Sequence, residues 1–284
     1  MDRQIVIITA DERQEKLASL LYGKKKRGSW ENYQREKKDC ECVYVLPIPV
    51  SKLNKDTALK EKLKEEFMLA KNENCYVFGG VIDQEWKLFL EENNICYWDF
   101  MKLPEVVEGN GWITAEATVA EVLQHGERSI QGQNVLVTGY GCCGQRIAEI
   151  FSRLGANVYV AARRKEVRQQ AEKEGHYAFD FSEMTEYVGD VNTVINTVPA
   201  MVITEDVIRR MSQDVLIVDI ASKPGGTDFE AAQKHGIKAK LALGLPGIYT
   251  TTSSAELLKN AILKYAPLQN DIKEESLWIF QIVI

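Results

Sequence analysis

Six residues near the middle of the chain constrain its fold most: Gly139-Tyr140-Gly141-Cys142-Cys143-Gly144 follow a short β-branched segment and precede one with helical periodicity. The pattern G-x-G-x-x-G is weak by itself, but between a strand and a helix it is typical of a dinucleotide-binding unit. The first glycine allows a tight turn, the second a close approach of pyrophosphate, and the third close packing of helix on strand. N–H groups at the start of the helix would face the phosphates. We therefore predict a Rossmann-type domain that begins near Asn134.

The rest of the second half alternates between short apolar segments and segments with helical periodicity. Near-continuous apolar strands that alternate with helices indicate a parallel sheet covered on both faces. We therefore predict a doubly wound α/β domain. Its predicted strands are 134–140, 157–162, 193–198, 215–221 and 238–243, and its predicted helices are 145–154, 165–173, 205–211, 229–235 and 255–265.

The first half predicts a second, smaller Rossmann-like α/β domain for substrate binding or interaction, at residues 1–112. Residues 113–284 then form the dinucleotide-binding domain, including a crossing helix at 113–126 and an irregular tail after 267. The inner face of the crossing helix is expected to carry Val119, Ala120, Val122 and Leu123. Predicted strands of the first half are 5–9, 42–46 and 76–78, its helices are 12–21 and 59–70, and the charged segment 24–39 is expected to be a loop with a solvated helix.

Composition excludes several classes of protein. The 284 residues carry a formal net charge of -6, which argues against nucleic acid or an anionic membrane as the main partner. No apolar segment approaches the ~20 residues that span a bilayer, and no signal peptide is recognisable, so we expect a cytoplasmic protein. The 6 cysteines form no C-x-x-C pair, so we expect free thiols and no metal site.

The residues after the second predicted strand of the dinucleotide domain indicate which coenzyme is bound. An NAD site usually has Asp or Glu there, which hydrogen-bonds to the ribose hydroxyls. This chain has Ala161-Ala162-Arg163-Arg164 instead. Small residues leave room for a 2′-phosphate, and guanidinium groups pair with it. We predict NADP, with Ala162, Arg163 and Arg164 at the phosphate, and keep NAD as the alternative.

Other candidate residues follow the predicted strands. Parallel sheets bind ligands beyond the carboxyl ends of their strands. The segments 196–199, 221–223 and 244–247 lie at such ends. Ser222 and Lys223 are candidate catalytic residues because a charged group beside the nicotinamide suits an anionic substrate; turn formation before Pro224 is the alternative. The remaining members are expected to contact the cofactor: Asn196, Thr197, Val198, Pro199, Ala221, Gly244 and Pro246.

Three further residues are candidates for catalysis. Thr114 is expected to cap the crossing helix, which places Glu116 in its first turn, and capping is as good an explanation of both residues as catalysis. Arg13 follows the first strand of the small domain. It is suited to bind a carboxylate or, alternatively, to pair with Asp11. The three histidines are weak candidates because each follows a helix or a turn.

Several segments together resemble the family of the dipicolinate synthase A subunit. They are 219–229 (DIASKPGGTDF), 244–248 (GLPGI), 196–199 (NTVP) and the glycine motif. The resemblance is almost continuous from about Asn110 to Tyr265 and fainter in the first half, where the family has two glycines at the positions of Thr9 and Ala10. The combination of these motifs is specific, although no single motif is.

The resemblance implies an NADP-dependent oxidoreductase of spore-forming bacteria that oxidises dihydrodipicolinate, or its hydrated precursor, to dipicolinate. It also implies a second protein, a flavoprotein similar to the B subunit of dipicolinate synthase, and a homo-oligomer is possible. Lys223 and Arg13 would each bind one carboxylate of the substrate in a cleft between the domains. Two alternatives stay open: an enzyme similar to 2-hydroxy-acid dehydrogenases, and a non-catalytic regulatory protein that binds NADPH.

Overall fold

A computed structural model of the chain describes residues 2–21, 24–27, 40–70, 75–266 and 275–281. The chain divides into two compact units, which we call unit 1 (Met1–Gly109 with Thr251–Ile284) and unit 2 (Asn110–Thr250). Each unit contains a parallel sheet of six strands with helices around it. The predicted class of two Rossmann-like α/β units is confirmed, and the first sheet has as many strands as the second.

Unit 1 is built from the two ends of the chain. Its sheet has the order β2-β12-β1-β3-β4-β5, so the first strand lies near the centre with a C-terminal strand beside it. The elements are β1 Asp2–Thr9, α1 Glu12–Leu20, β2 Lys24–Arg27, β3 Cys40–Val45, α2 Thr57–Ala70, β4 Cys75–Gly79, α3 Gln84–Glu92, β5 Cys96–Asp99, the first part of α4 Pro104–His125, α10 Thr251–Tyr265 and β12 Glu275–Gln281.

The C-terminal residues complete unit 1, whereas the sequence assigned them to the dinucleotide domain. Buried residues of α10, including Leu258 and Ile262, share one apolar core with Leu17 of α1. The tail, expected to be irregular, contains β12, which pairs in parallel with β1 over the register Arg3↔Glu275 to Thr9↔Gln281. These contacts join residues more than 200 positions apart, so no local pattern could have predicted them.

The charged segment 24–39 also differs from its prediction. Lys24–Arg27 form β2, which pairs with β12, rather than a loop or a helix. The remainder of that segment, 28–39, lies outside the described residues. No helix in the described ranges is both long enough and apolar enough to cross a membrane.

The crossing helix α4 begins at Pro104, earlier than predicted. Gly109 and Gly111 lie within this helix, and close packing requires both. A Cβ at Gly109 would lie 2.6 Å from Leu257 Cδ2, and one at Gly111 would lie 2.9 Å from Cys142 Sγ. Leu123 was placed on the inner face, yet it is 56% exposed.

Unit 2 has the strand order β11-β10-β9-β6-β7-β8, the doubly wound arrangement in which the order of successive strands reverses between β6 and β9. Ligands bind beyond the carboxyl ends of the strands at such a point. Its elements after α4 are β6 Asn134–Thr138, α5 Cys142–Arg153, β7 Asn157–Ala161, α6 Lys165–Lys173, β8 Tyr177–Phe179, α7 Met184–Tyr187, β9 Thr193–Asn196, α8 Glu205–Ile208, β10 Leu216–Asp219, α9 Phe229–Lys234 and β11 Lys238–Leu241.

Candidate functional site

The glycine motif forms the turn between β6 and α5. Gly139 has a φ of 85°, and its N–H donates to the carbonyl oxygen of Ala161 at 2.9 Å. A Cβ at Gly139 would lie 2.5 Å from Thr197 Oγ1, and a Cβ at Gly144 would lie 2.3 Å from the carbonyl oxygen of Gly139. Both positions therefore exclude any side chain, because the neighbouring strand and helix approach too closely.

Gly141 has the opposite environment. A Cβ there would meet no heavy atom within 4 Å, although its φ of -79° is ordinary for any residue. It is the residue before α5, and no side chain caps the first N–H groups of that helix. Open space in front of uncapped N–H groups suits the pyrophosphate of a dinucleotide, so these residues fit such a cofactor.

The two cysteines of the motif lie in the first turn of α5. Cys142 Sγ packs on Gly111 of α4. Burial raises the pKa of the Cys143 thiol, and a hydrogen bond with Thr114 opposes this shift. The thiols thus lie against residues of α4 and are suited to packing rather than to chemistry.

Thr114 and Glu116 do not have the positions that the sequence predicted. Because α4 begins at Pro104, Thr114 lies in the helix interior, where its hydroxyl donates to the carbonyl oxygen of Asn110 at 2.6 Å. It cannot cap the helix. Glu116 is an exposed residue of the helix middle rather than of its first turn.

Tyr140 anchors the glycine turn to the end of α6. Its side chain is buried, its hydroxyl donates to Glu174 Oε2, and its ring meets His176 edge-on with centroids 6.1 Å apart. Burial and the bond to Glu174 raise the pKa of Tyr140. The same bond holds the pKa of Glu174 below its ordinary value. At neutral pH a neutral phenol therefore donates to an ionised carboxylate.

The turn between β7 and α6 lies opposite the glycine motif. Ala162 is buried, whereas Arg163 and Arg164 are exposed and pair with no carboxylate among the described residues. A cavity of about 290 Å³ lies here. Its lining includes Gly139, Gly141, Ala162, Arg163, Arg164 and Phe181. Unpaired guanidinium groups beside the glycine turn are suited to bind an anionic group.

Arg168, one turn into α6, was missed by the sequence analysis. Its Nη1 donates to the carbonyl oxygens of Ala162 at 2.8 Å and Arg163 at 2.7 Å, and to Asp180 Oδ2 at 2.7 Å. In the sequence, Arg168 is simply a further arginine near Arg163 and Arg164. Its position in the sequence does not show which groups its side chain contacts.

A buried polar network joins the carboxyl ends of three central strands. Thr138 Oγ1 donates to Asn196 Oδ1 at 2.6 Å, and Asn196 Nδ2 donates to Asp219 Oδ1 at 2.9 Å. Asp219 also accepts from the N–H groups of Ala221 at 2.9 Å and Gly226 at 3.1 Å. Asn196 and Asp219 are fully buried, so they shape the loops rather than contact a ligand. Asp219 could have been singled out in the sequence because it is a carboxylate within the apolar segment 215–221 (VLIVDIA).

The network brings the predicted segments 196–199 and 221–223 to the same edge of the sheet. Thr197 Oγ1 donates to the carbonyl oxygen of Thr138 at 2.8 Å, which holds the next residues, Val198 and Pro199, near the glycine turn. Ser222 and Lys223 are exposed, and their side chains make no polar contact within the part of the chain that the structure describes. The carbonyl oxygen of Ser222 accepts from the N–H of Gly225 at 2.9 Å, so the turn around Pro224 that the alternative interpretation expected is present. Of this set, only Lys223 offers a free charge.

The segment after β11 forms a short turn. Gly244 has a φ of 69°, and Leu245–Gly247 form one 3-10 turn that contains the buried Pro246. The hydroxyl of Tyr249 then donates to Glu121 Oε1 of α4 at 2.8 Å, and Gln124 Oε1 lies 2.8 Å from the same hydroxyl. The turn is therefore tied to α4.

All three histidines lie before strands rather than after them. His125 ends α4 ahead of β6, His176 directly precedes β8, and His235 follows α9 ahead of β11. In a parallel sheet these positions lie at the edge opposite the glycine turn. No group of three or more potential metal ligands occurs in the described ranges.

In unit 1, Arg13 lies in the first turn of α1. Its side chain is buried, and its Nη2 pairs with Asp11 Oδ2 at 3.0 Å, as the alternative interpretation held. Lys52, which the sequence analysis missed, places its Nζ 3.7 Å from the same carboxylate oxygen. Burial lowers the pKa of Lys52 despite this carboxylate. Two cations thus share one carboxylate, which leaves an excess of positive charge.

Comparisons with known proteins agree with this geometry. Residues 106–279 match the family model of the alanine dehydrogenase/PNT C-terminal domain. The A subunit of dipicolinate synthase from Bacillus subtilis (strain 168) is 36% identical over 208 residues, which cover 71% of this chain and 68% of the relative.

Solved structures of similar proteins share the fold. The crystal structure of the dipicolinate synthase A subunit from Bacillus halodurans has a TM-score of 0.79 at 28% identity, covering 94% of this chain and 98% of that chain. The corresponding dipicolinate synthase structure from Bacillus subtilis gives a TM-score of 0.78 at 28% identity, with 94% and 96% covered. The chain therefore belongs to the family of the dipicolinate synthase A subunit and is an NAD(P)-dependent oxidoreductase of the alanine dehydrogenase/PNT type.

Proposed function

We propose that this protein is an NADP-dependent oxidoreductase that oxidises dihydrodipicolinate, or its hydrated precursor, to dipicolinate. The coenzyme assignment rests mainly on the end of β7. There Ala161 and Ala162 precede Arg163 and Arg164, two exposed arginines that form no ion pair among the described residues. The substrate assignment rests on the relatives, which are dipicolinate synthase subunits.

The charge at the end of β7 favours NADP over NAD. A carboxylate at this position would hydrogen-bond to the ribose hydroxyls of NAD and repel a 2′-phosphate. Arg163 and Arg164 border the cavity beside the glycine turn. Charge-assisted hydrogen bonds from a guanidinium to a phosphate are stronger than neutral ones. We assign the 2′-phosphate to these arginines.

The reaction removes a hydride and a proton from a dihydropyridine ring and leaves an aromatic pyridine that carries two carboxylates. Bound NADP⁺ supplies the acceptor for the hydride. Because aromatisation favours the product, the main task of the protein is to bind the substrate and orient it. Cationic groups for the carboxylates are therefore the first requirement.

Lys223 is our candidate for one carboxylate. It follows β10 and the buried Asp219 network, its side chain is exposed, and it has no ion pair among the residues that the structure describes. Ser222 next to it offers a hydroxyl donor. A free ammonium group at the carboxyl edge of the sheet is available to bind an anionic substrate.

In unit 1 we assign a carboxylate-binding role to Arg13 together with Lys52. The Nε of Arg13 is buried and has no hydrogen-bond partner among the described residues. Asp11 compensates only one of the two positive charges. A carboxylate ligand would compensate the other, and it would also benefit from the N-terminal end of α1.

The alternative of a 2-hydroxy-acid dehydrogenase has less support. Such enzymes use a histidine paired with a carboxylate as acid and base, next to the nicotinamide. His235 does approach Glu205 at 3.1 Å, but it precedes β11 and so lies at the amino edge of the sheet. The positions of the histidines favour the dipicolinate reaction.

Two measurements test the proposal. Titration with NADPH and NADH should show at least about tenfold tighter binding of NADPH, the contribution of one charge-assisted hydrogen bond. Incubation with NADP⁺ and dihydrodipicolinate should produce dipicolinate and NADPH in equal amounts. Equal affinities would refute the coenzyme assignment, and tight NADPH binding without turnover, both alone and with the second protein proposed below, would refute the reaction.

We also propose a second protein in the assembly, a flavoprotein similar to the B subunit of dipicolinate synthase, because the relatives are named as subunits. The turnover assay should therefore be run with and without such a protein. Light scattering of this chain alone and of the mixture distinguishes a homo-oligomer from a complex.

A further inference from the structure

We propose that Arg168 is a positioning residue for coenzyme selectivity: it holds the backbone of Ala162 and Arg163 in the orientation that presents Arg163 and Arg164 to the 2′-phosphate. This inference rests on the proposed preference for NADP and deepens it. Arg168 does not border the cavity, so it would act through the residues that do.

The contacts of Arg168 converge on the turn between β7 and α6. One guanidinium nitrogen lies 2.8 Å from the carbonyl oxygen of Ala162 and 2.7 Å from that of Arg163. Arg163 and Arg164 have no polar side-chain partner among the described residues. The backbone of this turn therefore determines where both side chains leave the chain, and Arg168 holds that backbone through two carbonyl oxygens.

The same contacts change the electrostatics beside the cavity. A peptide carbonyl oxygen carries a partial negative charge, and two of them facing a phosphate would repel it. Here both oxygens are bound to a guanidinium instead. The negative ends of these peptide groups are thereby directed at Arg168, which leaves the cationic side chains to face the phosphate.

Asp180 fixes the other side of Arg168. Its Oδ2 accepts from Arg168 at 2.7 Å, while its Oδ1 accepts from the N–H and the hydroxyl of Ser182 at 3.1 and 2.9 Å. The bonds from Ser182 and the charge of Arg168 lower the pKa of Asp180, so it is ionised at neutral pH. Asp180 also caps the 3-10 turn Phe181–Glu183, and Phe181 lines the cavity. The Arg168–Asp180 pair thus joins two walls of one cavity.

Unit 2 contains a matched control pair. Arg209 and Asp206 form an exposed ion pair at 2.9 Å three residues apart in sequence. Removing Arg209 takes away the same charge as removing Arg168, but Arg209 has no bond to the backbone of the cavity. A general effect of lost positive charge would appear in both variants.

The experiment measures the Kd values of NADPH and NADH for the wild type and for R168M, D180N and R209M by fluorescence titration. We expect the ratio of NADH Kd to NADPH Kd to fall about tenfold in R168M and about threefold in D180N, and to stay unchanged in R209M. In a background with R163A and R164A, R168M should change the ratio by less than about twofold, because the groups through which it acts are gone.

The outcomes separate the two proposals. A wild-type ratio near one overturns the NADP preference and this inference with it. A high wild-type ratio that R168M and D180N leave unchanged, or an equal loss of both affinities in these variants, overturns this inference alone. If R168M does not fold, D180N decides, because it keeps the arginine, removes the charge that fixes it and leaves an amide oxygen that can still accept from Ser182.

Discussion

At the scale of single residues, the three glycines of the motif are not equivalent. Gly139 and Gly144 lie in close contact with neighbouring backbone or side chains, whereas Gly141 faces open space. The sequence pattern already implied this difference, since the pattern exists because each glycine meets a different constraint. Substitutions at Gly139 and Gly144 should therefore impair folding, whereas substitutions at Gly141 should impair cofactor binding.

We expect Gly141→Val to fold normally and to lose measurable binding of NADPH, because the new side chain would occupy the space in front of α5. Gly144→Ala should instead destabilise the protein by about 1–3 kcal/mol, since its Cβ would overlap the carbonyl oxygen of Gly139. Thermal unfolding and NADPH titration of both variants distinguish the two effects. Unchanged affinity in a folded Gly141→Val variant would contradict the placement of the pyrophosphate.

The bond between Tyr140 and Glu174 predicts a pH dependence. The pKa of Glu174 is lowered in the folded protein, so its contribution to stability is present above the unfolded pKa and is lost as the pH falls through the folded pKa. Tyr140→Phe removes the bond. The difference in Tm between the wild type and this variant should be largest above the ordinary glutamate pKa of 4.5 and should decrease as the pH falls below it.

A Tm difference that is the same at every pH would show that the phenol contributes through packing alone. Tyr177→Phe is the control, since Tyr177 is an exposed tyrosine of the same unit. It should leave the pH profile unchanged.

Lys223 and Arg13 predict a separation of substrate binding from cofactor binding. Lys223→Met and Arg13→Met should each raise the substrate KM by about tenfold and leave the Kd of NADPH nearly unchanged, because neither residue belongs to the glycine turn. Steady-state kinetics test this. The control Lys234→Met removes an exposed lysine that pairs with Glu205.

An exposed surface charge contributes well under about 1 kcal/mol to any such property. Wild-type kinetics in both variants would therefore show that Lys223 is a surface charge and that Arg13 serves only its buried pair with Asp11. The substrate carboxylates would then be bound by backbone N–H groups or by a second protein.

At the scale of elements, the loops after β9 and β10 are shaped by one buried carboxylate. Asp219 accepts three hydrogen bonds, and its removal leaves the buried N–H groups of Ala221 and Gly226 and one of the two side-chain N–H bonds of Asn196 without this acceptor. We expect Asp219→Ala to lower the free energy of unfolding by about 3 kcal/mol. Denaturant unfolding measures this change.

Asp228→Ala is the matched control at the start of α9. Asp228 caps that helix by accepting from the N–H of Ala231 at 2.9 Å, so its loss costs about 1 kcal/mol. If both substitutions lowered the free energy of unfolding equally, Asp219 would stabilise the protein no more than a helix-capping residue does.

At the scale of the whole molecule, the C-terminal residues belong to the N-terminal sheet. Ile279 of β12 is 3% exposed and pairs in register with Ile7 of β1. We expect Ile279→Ala to lower the free energy of unfolding by about 2 kcal/mol or more, as for other buried isoleucines. The control Leu88→Ala, at a residue that is 45% exposed, should change it by less than about 0.5 kcal/mol. Similar small effects would support the irregular tail that the sequence suggested.

By itself, the sequence determined the alternation of strands and helices in unit 2, the position of the glycine turn and the missing carboxylate at the end of β7. These features depend on local periodicity and on the chemistry of adjacent residues, so they can be recognised without a structure. The tertiary structure alone decided the early start of α4, the place of β12 in the first sheet, and the partners of Asp219, Arg168 and Lys52. Each of these depends on contacts between distant parts of the chain: Gly109 and Gly111 leave room within α4 for Leu257 and Cys142, and β12 pairs with β1.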